Sequence, residues 1–184
     1  MIMTEQIDSP RWGGLKQDEP ITPYQEAPFN RRAIQRGYST FARQQRPTAL
    51  LTLTVKEPKG KHGGWLVTAN SLLQKANLFF HWVNADLFGR KYQKKGLGLT
   101  GFGCIENQAN HQPHAHLAIT TPMLRNFFQK LKETIFRKIE KISLFEARGT
   151  DIQLIGNSDE DFLRVGDYLA KNGRMVTLGT DGIL

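Results

Sequence analysis

Between Ala49 and Asn172 the apolar residues switch repeatedly between a spacing of two and a spacing of three and four, and few folds accommodate that order of periods. Ala49-Leu50-Leu51-Thr52-Leu53-Thr54-Val55 is apolar and β-branched and reads as a strand ending before Gly60. Leu72, Ala76, Phe79, Phe80, Val83 and Leu87 then recur on one helical face, with Asn70 or Ser71 as the cap and Gly89 as the stop. Residues 97–107 and 113–120 read as two strands of a hairpin joined by the polar turn 108–112. Leu124, Phe127, Phe128, Leu131, Ile135 and Ile139 outline a second helix, and 142–155 supplies at least one further strand. Ser158 followed by Asp159-Glu160-Asp161 opens a third helix, whose apolar stripe is Phe162, Val165 and Leu169 and whose stop is Asn172-Gly173.

The order β-α-β-β-α-β-α predicts an α+β domain of ferredoxin-like (split βαβ) type, with an antiparallel sheet, helices on one face and a site on the other. We place this domain at 47–184. Residues 1–48 hold five of the eight prolines and no sustained apolar period, so 1–46 reads as a basic, partly disordered N-terminal arm. In 184 residues there is room for one domain of this size and a tail, not for a helicase module besides. A lone cysteine precludes an intramolecular disulfide, and no Cys/His finger spacing occurs, which points to a reducing cytoplasm. Neither an apolar run long enough to span a membrane nor a signal-peptide core is present, so no membrane partner is expected.

The net charge of +8, with a sequence pI near 9.7, favours an acidic partner, and nucleic acid is the commonest. The excess is densest in the stretch 89–96, with Arg90, Lys91, Lys94 and Lys95, and along 125–141.

The sharpest chemistry lies in Glu106 and His114-Ala115-His116. Residues two apart in a strand share a face, so the imidazoles point together while Leu117 and Ile119 point the other way. Glu106 falls on the histidine face whether it opposes His114 or His116. One carboxylate and two imidazoles on one sheet face suit a divalent ion, Mg or Mn for phosphate chemistry, with Zn, Co or Ni also admissible. On the last helix Tyr168 lies at the border of the apolar stripe, with Lys171 beside it on the exposed side.

The strand Leu51-Thr52-Leu53-Thr54-Val55, Glu106 with His114-Ala115-His116, and Tyr168-x-x-Lys171 occur in that order within 47–175. This arrangement resembles the HUH endonucleases, specifically the rolling-circle replication initiator (Rep) proteins of plasmids and phages. Relaxases of that superfamily carry the tyrosine before the histidine pair. Single-tyrosine transposases carry it after, but tend to have Gln four residues beyond it, where this chain has Asn172; Lys171 matches the Rep pattern.

The resemblance implies nicking and rejoining of single-stranded or hairpin origin DNA. Tyr168 would be the nucleophile, His114, His116 and Glu106 the ligands of Mg or Mn, and Lys171 a cation near the phosphate. Arg90, Lys91, Lys94 and Lys95 would hold DNA, while a host helicase and polymerase would extend the nick. Two other readings are a single-tyrosine HUH transposase and a non-catalytic basic nucleic-acid-binding module. The latter would normally place base-stacking aromatics on the free sheet face.

Overall fold

The computed structural model describes residues 28–56, 68–107, 113–171, 173–179 and 182–183. The elements in chain order are α1 (Pro28–Gln45), β1 (Ala49–Val55), α2 (Ala69–Phe88), β2 (Gly101–Asn107), β3 (Pro113–Ile119), α3 (Arg125–Ile139), β4 (Phe145–Leu154), α4 (Asp159–Leu169), β5 (Gly173–Gly179) and the two-residue β6 (Gly182–Ile183). A short 3₁₀ turn, Gln93–Lys95, precedes β2. The strands form one antiparallel sheet in the order β4-β1-β3-β2-β5-β6. This is an α+β architecture consistent with a ferredoxin-like type of fold. Among the described residues no helix is long and apolar enough to cross a membrane.

The local signals explain most element ends. Thr68, rather than Asn70 or Ser71, caps α2: its Oγ1 accepts from the Ser71 amide at 3.1 Å, the bond an N-cap makes to the third helical residue. Gly89 stops that helix at φ +88°, a conformation glycine adopts without cost. Ser158 and Asp161 form a reciprocal capping box at the start of α4, with three acidic residues in the first turn against the positive end of the helix dipole.

Three expectations change. The helices do not lie on one face only. Leu51, Leu53, Ile105, Leu117 and Ile119 bury one face of the sheet against α2 and α3, and Phe102, Cys104 and Ala118 bury part of the other against Tyr38 and Ala42 of α1 and Val165 and Leu169 of α4. Strand β3 is accordingly buried at every position from Pro113 to Ile119. The arm expected to be partly disordered is helical over 28–45 and packs on the sheet; residues 1–27 lie outside the described residues. Tyr38, Phe41 and Ala42 give α1 an apolar edge, and Phe41 packs edge-to-face on Phe102 with centroids 4.8 Å apart. The periodicity also gives no strand after α4, where β5 pairs along β2 and buries Val176 and Leu178.

The second face grades from apolar to polar along its strands. Leu50, Ala118 and Phe102 form one rung, Thr52, His116 and Cys104 the next, and His114 and Glu106, with Thr54 beside them, the third. The α1–α4 pair covers the apolar end, which brings the C-terminal part of α4 to the start of the polar end.

Candidate active site

Glu106 opposes His114 in the β2–β3 register and Cys104 opposes His116, so all lie on the face that α4 approaches. The carboxylate reaches diagonally: Glu106 Oε2 stands 3.1 Å from His116 Nε2. The opposite nitrogen of the same ring, Nδ1, lies 3.2 Å from the Tyr168 hydroxyl and 3.0 Å from Thr52 Oγ1. Tyr168 stands edge-on to the imidazole, with centroids 4.9 Å apart and planes at 80°. The structure therefore joins Tyr168, His116 and Glu106 in one hydrogen-bonded chain.

A carboxylate only accepts, so the Nε2 of neutral His116 carries the proton and Nδ1 accepts from a hydroxyl. His114 has the reverse preference. Thr54 donates its hydroxyl proton to the Gly149 carbonyl and offers the His114 Nδ1, 3.5 Å away, only lone pairs, which makes Nε2 the basic nitrogen. The two imidazole planes lie within 23° of parallel with centroids 6.4 Å apart. Thr52 and Thr54 are thus the site residues that sequence reasoning missed as partners. Their signal was a Thr-x-Thr strand of the same parity as the His-x-His strand, but the pairing of β1 with β3 was needed to read it.

Burial sets the protonation states. His114 and His116 are 7% and 5% exposed, and desolvation holds both below the ordinary histidine value of 6.5. His116 adds to the depression at His114, while the charge of Glu106 opposes it at both rings. The Tyr168 phenol is pushed up, first by burial and then by the charges of Glu106 and Cys104, with the hydrogen bond to Thr52 acting against them. At neutral pH the cluster therefore contains two neutral imidazoles and a protonated phenol. A histidine NMR titration is expected to give midpoints below 6.5 for both rings. A midpoint above 6.5 would mean that the carboxylate outweighs desolvation.

Lys171 Nζ lies 5.7 Å from the Tyr168 ring centroid, so it accompanies the phenol as its spacing suggested. Arg90, Lys91, Lys94 and Lys95 are exposed, but they are not brought to this cluster. They precede Gly101, the entry of β2, while Glu106 stands near the exit, about 16 Å further along at ~3.3 Å per residue. His81 faces Tyr92 across 3.1 Å, away from the site, and His62 and His111 lie outside the described residues.

Among the described residues no three His, Cys, Asp or Glu side chains close around a common point. The donor chemistry nonetheless fits a divalent cation: His114 Nε2 offers a lone pair and Glu106 a hard oxygen on the same face, and His116 frees its Nε2 as a ligand when its proton moves to Nδ1, where the Thr52 or Tyr168 oxygen accepts it. Comparison with known proteins gives no matching family model, no matching curated protein and no matching solved structure.

Proposed function

We propose that this protein is a metal-dependent tyrosine endonuclease of the HUH type that nicks and rejoins single-stranded DNA, as an initiator of rolling-circle replication does. The observation that carries the reading is the hydroxyl of Tyr168 at 3.2 Å from His116, whose other nitrogen faces Glu106. Helix α4 buries its stripe of Phe162, Val165 and Leu169 without the phenol, which is 38% exposed yet turns its hydroxyl onto the His-x-His strand. The strand order supports the split βαβ reading: β1 and β2 both run antiparallel to β3, which lies between them. A solely binding module is less well supported, because the polar end of the face holds Thr54, His114 and Glu106 rather than aromatics.

In the proposed reaction Tyr168 Oη attacks a phosphodiester phosphorus. A P–O bond forms to the tyrosine, the P–O3′ bond breaks, and the phenolic proton ends on the released 3′ oxygen or on solvent. A 5′-phosphotyrosine link and a free 3′-OH result. One bond of each kind is exchanged, so the reverse attack rejoins an end without an external energy source.

A Mg or Mn ion held by His114, His116 and Glu106 would supply charge to a non-bridging phosphate oxygen. The chain's own residues do the rest: His116 and Thr52 orient the phenol, and Lys171 adds positive charge beside it. The cytoplasm and the replication machinery of a host are the setting this reading implies.

The test is incubation with labelled single-stranded DNA and Mg or Mn, followed by denaturing electrophoresis. A covalent protein–DNA band that disappears with EDTA is expected; free cleavage products with no band would reject the assignment. Thr52→Val preserves size but removes the hydroxyl, and is expected to slow adduct formation up to about tenfold, the kinetic equivalent of one hydrogen bond. Thr52→Ser should restore the rate, whereas a merely steric role would leave Val faster than Ser.

A further inference from the structure

The Thr54 hydroxyl that faces His114 is itself held by an irregularity in the edge strand β4. Thr52 of β1 opposes Asp151 and Thr54 opposes Glu146, so Leu53 alone stands against residues 147–150. A bulge of this kind interrupts the ladder and re-aims the side chains beside it. The Thr54 amide donates to the Thr150 hydroxyl at 3.4 Å, a side chain standing in for the ladder. Thr150 is buried, and its hydroxyl donates in turn to the Glu146 carbonyl at 2.7 Å, which clips the two ends of the bulge together.

The bulge closes on the site face at Thr54. A Cβ on Gly149 would fall 2.6 Å from Thr54 Cγ2, 2.7 Å from its Oγ1 and 2.8 Å from its Cβ, so the main chain lies against this side chain only because residue 149 is glycine. From there the Gly149 carbonyl accepts the Thr54 proton. The hydroxyl proton is thereby committed, and lone pairs face the His114 Nδ1, 3.5 Å away. A neutral imidazole answers lone pairs at Nδ1 by carrying its proton there. His116 is set the other way, with its proton on Nε2 towards Glu106. Two histidines on one face of one strand thus hold opposite tautomers.

We propose that the β4 bulge, through Thr54, is a positioning device that keeps the His114 proton on Nδ1 and so presents His114 as the first ligand of an incoming divalent cation. His116 joins second, because its Nε2 must first pass its proton to Nδ1. The cation rests on the nuclease reading, whereas the tautomers are measured without it. Thr54, Gly149 and Thr150 are positioning residues, each acting through the imidazole of His114.

The test is a long-range proton–nitrogen NMR correlation on full-length, metal-free protein at about pH 8, above the ordinary histidine value, where both rings are neutral. The His114 proton is expected on Nδ1 and the His116 proton on Nε2; a His114 proton on Nε2 overturns the proposal. Thr54→Val keeps the volume and removes the lone pairs. It is expected to let the His114 proton move to Nε2 and to weaken Mn binding, read by electron paramagnetic resonance, about tenfold or more. Thr54→Ser should restore both. Gly149→Ala leaves Thr54 in the chain but drives its side chain off the bulge, and is expected to act as Thr54→Val does; should it unfold the protein, the Val and Ser pair decides.

A tautomer unmoved in folded Thr54→Val protein overturns the device, as does Mn affinity that falls with no change of tautomer. Opposite tautomers that respond to Thr54, in a protein that binds Mn but forms no DNA adduct, would leave the device standing and reject the nuclease reading. An adduct formed by a protein whose His114 proton sits on Nε2 does the reverse.

Discussion

Replacing Tyr168 with Phe is expected to lower covalent DNA adduct formation at least about a thousandfold, to the background of the assay, while oligonucleotide affinity changes less than about twofold. The substitution removes one oxygen. The ring keeps its edge-on contact with His116, and its neighbours Val165 and Leu169 keep α4 on the sheet. What is lost is one hydrogen bond to Nδ1, which Thr52 already shares at 3.0 Å, so stability should fall by no more than ~1 kcal/mol. The Thr52 hydroxyl on the same His116 nitrogen ionises far less readily than a phenol, so it is expected not to take the place of Tyr168. Denaturing electrophoresis of end-labelled DNA reads the adduct, and anisotropy reads the affinity. An adduct that survives in Tyr168→Phe would falsify the assignment of the nucleophile.

The contrast between what was and was not legible in the sequence follows from the range of each signal. Parity alone put Glu106, His114 and His116 on one face, since strand alternation is local and the hairpin ties the two strands together. The meeting of Tyr168 with His116 depends on which face α4 crosses, and a helical period says only that α4 has a buried stripe. Both faces of the sheet are covered because Phe102, Cys104 and Ala118 are apolar on the histidine side, a pattern masked by the polar residues that share that face further along the strands.

Helix α1 was concealed by composition. Arginine, glutamine and Gly37 dominate Pro28–Gln45, and its apolar edge consists of little more than Tyr38, Phe41 and Ala42. Tyr38 and Phe41, three residues apart, were the available sign. Strand β5 begins at the glycine that reads as a helix stop and, although as long as β1, β2 and β3, it opens on Gly173-Arg174 and closes on Gly179, so its few apolar residues give little alternation before it pairs with β2.

The packing of α1 on α4 gives the largest expected effect on stability, and two glycines test it with opposite signs. Gly166 lies where α4 meets the α1 backbone: an added Cβ would stand 2.5 Å from the Ser39 Cα, 2.7 Å from the Ser39 nitrogen and 2.8 Å from the Tyr38 carbonyl oxygen. These are main-chain atoms, so no rotamer change relieves the contact and the helices must separate. Gly166→Val is expected to cost about 2–3 kcal/mol, the upper part of the range for overpacking, and to lower the melting temperature by roughly 4–12 °C for a chain of this size.

Gly37, one helical position before Tyr38, faces open space, and a methyl group added to its Cα would meet nothing within 4 Å. There Gly37→Ala removes backbone entropy from the unfolded chain and is expected to stabilise by about 0.5–1 kcal/mol. Thermal unfolding monitored by circular dichroism measures both. The separation forced at Gly166 is expected to shift α4 and with it Tyr168 relative to His116, so Gly166→Val should reduce adduct formation well below the melting temperature, where the protein is still folded. Full activity in a folded Gly166→Val protein would show that close packing of α1 on α4 is dispensable for placing the phenol.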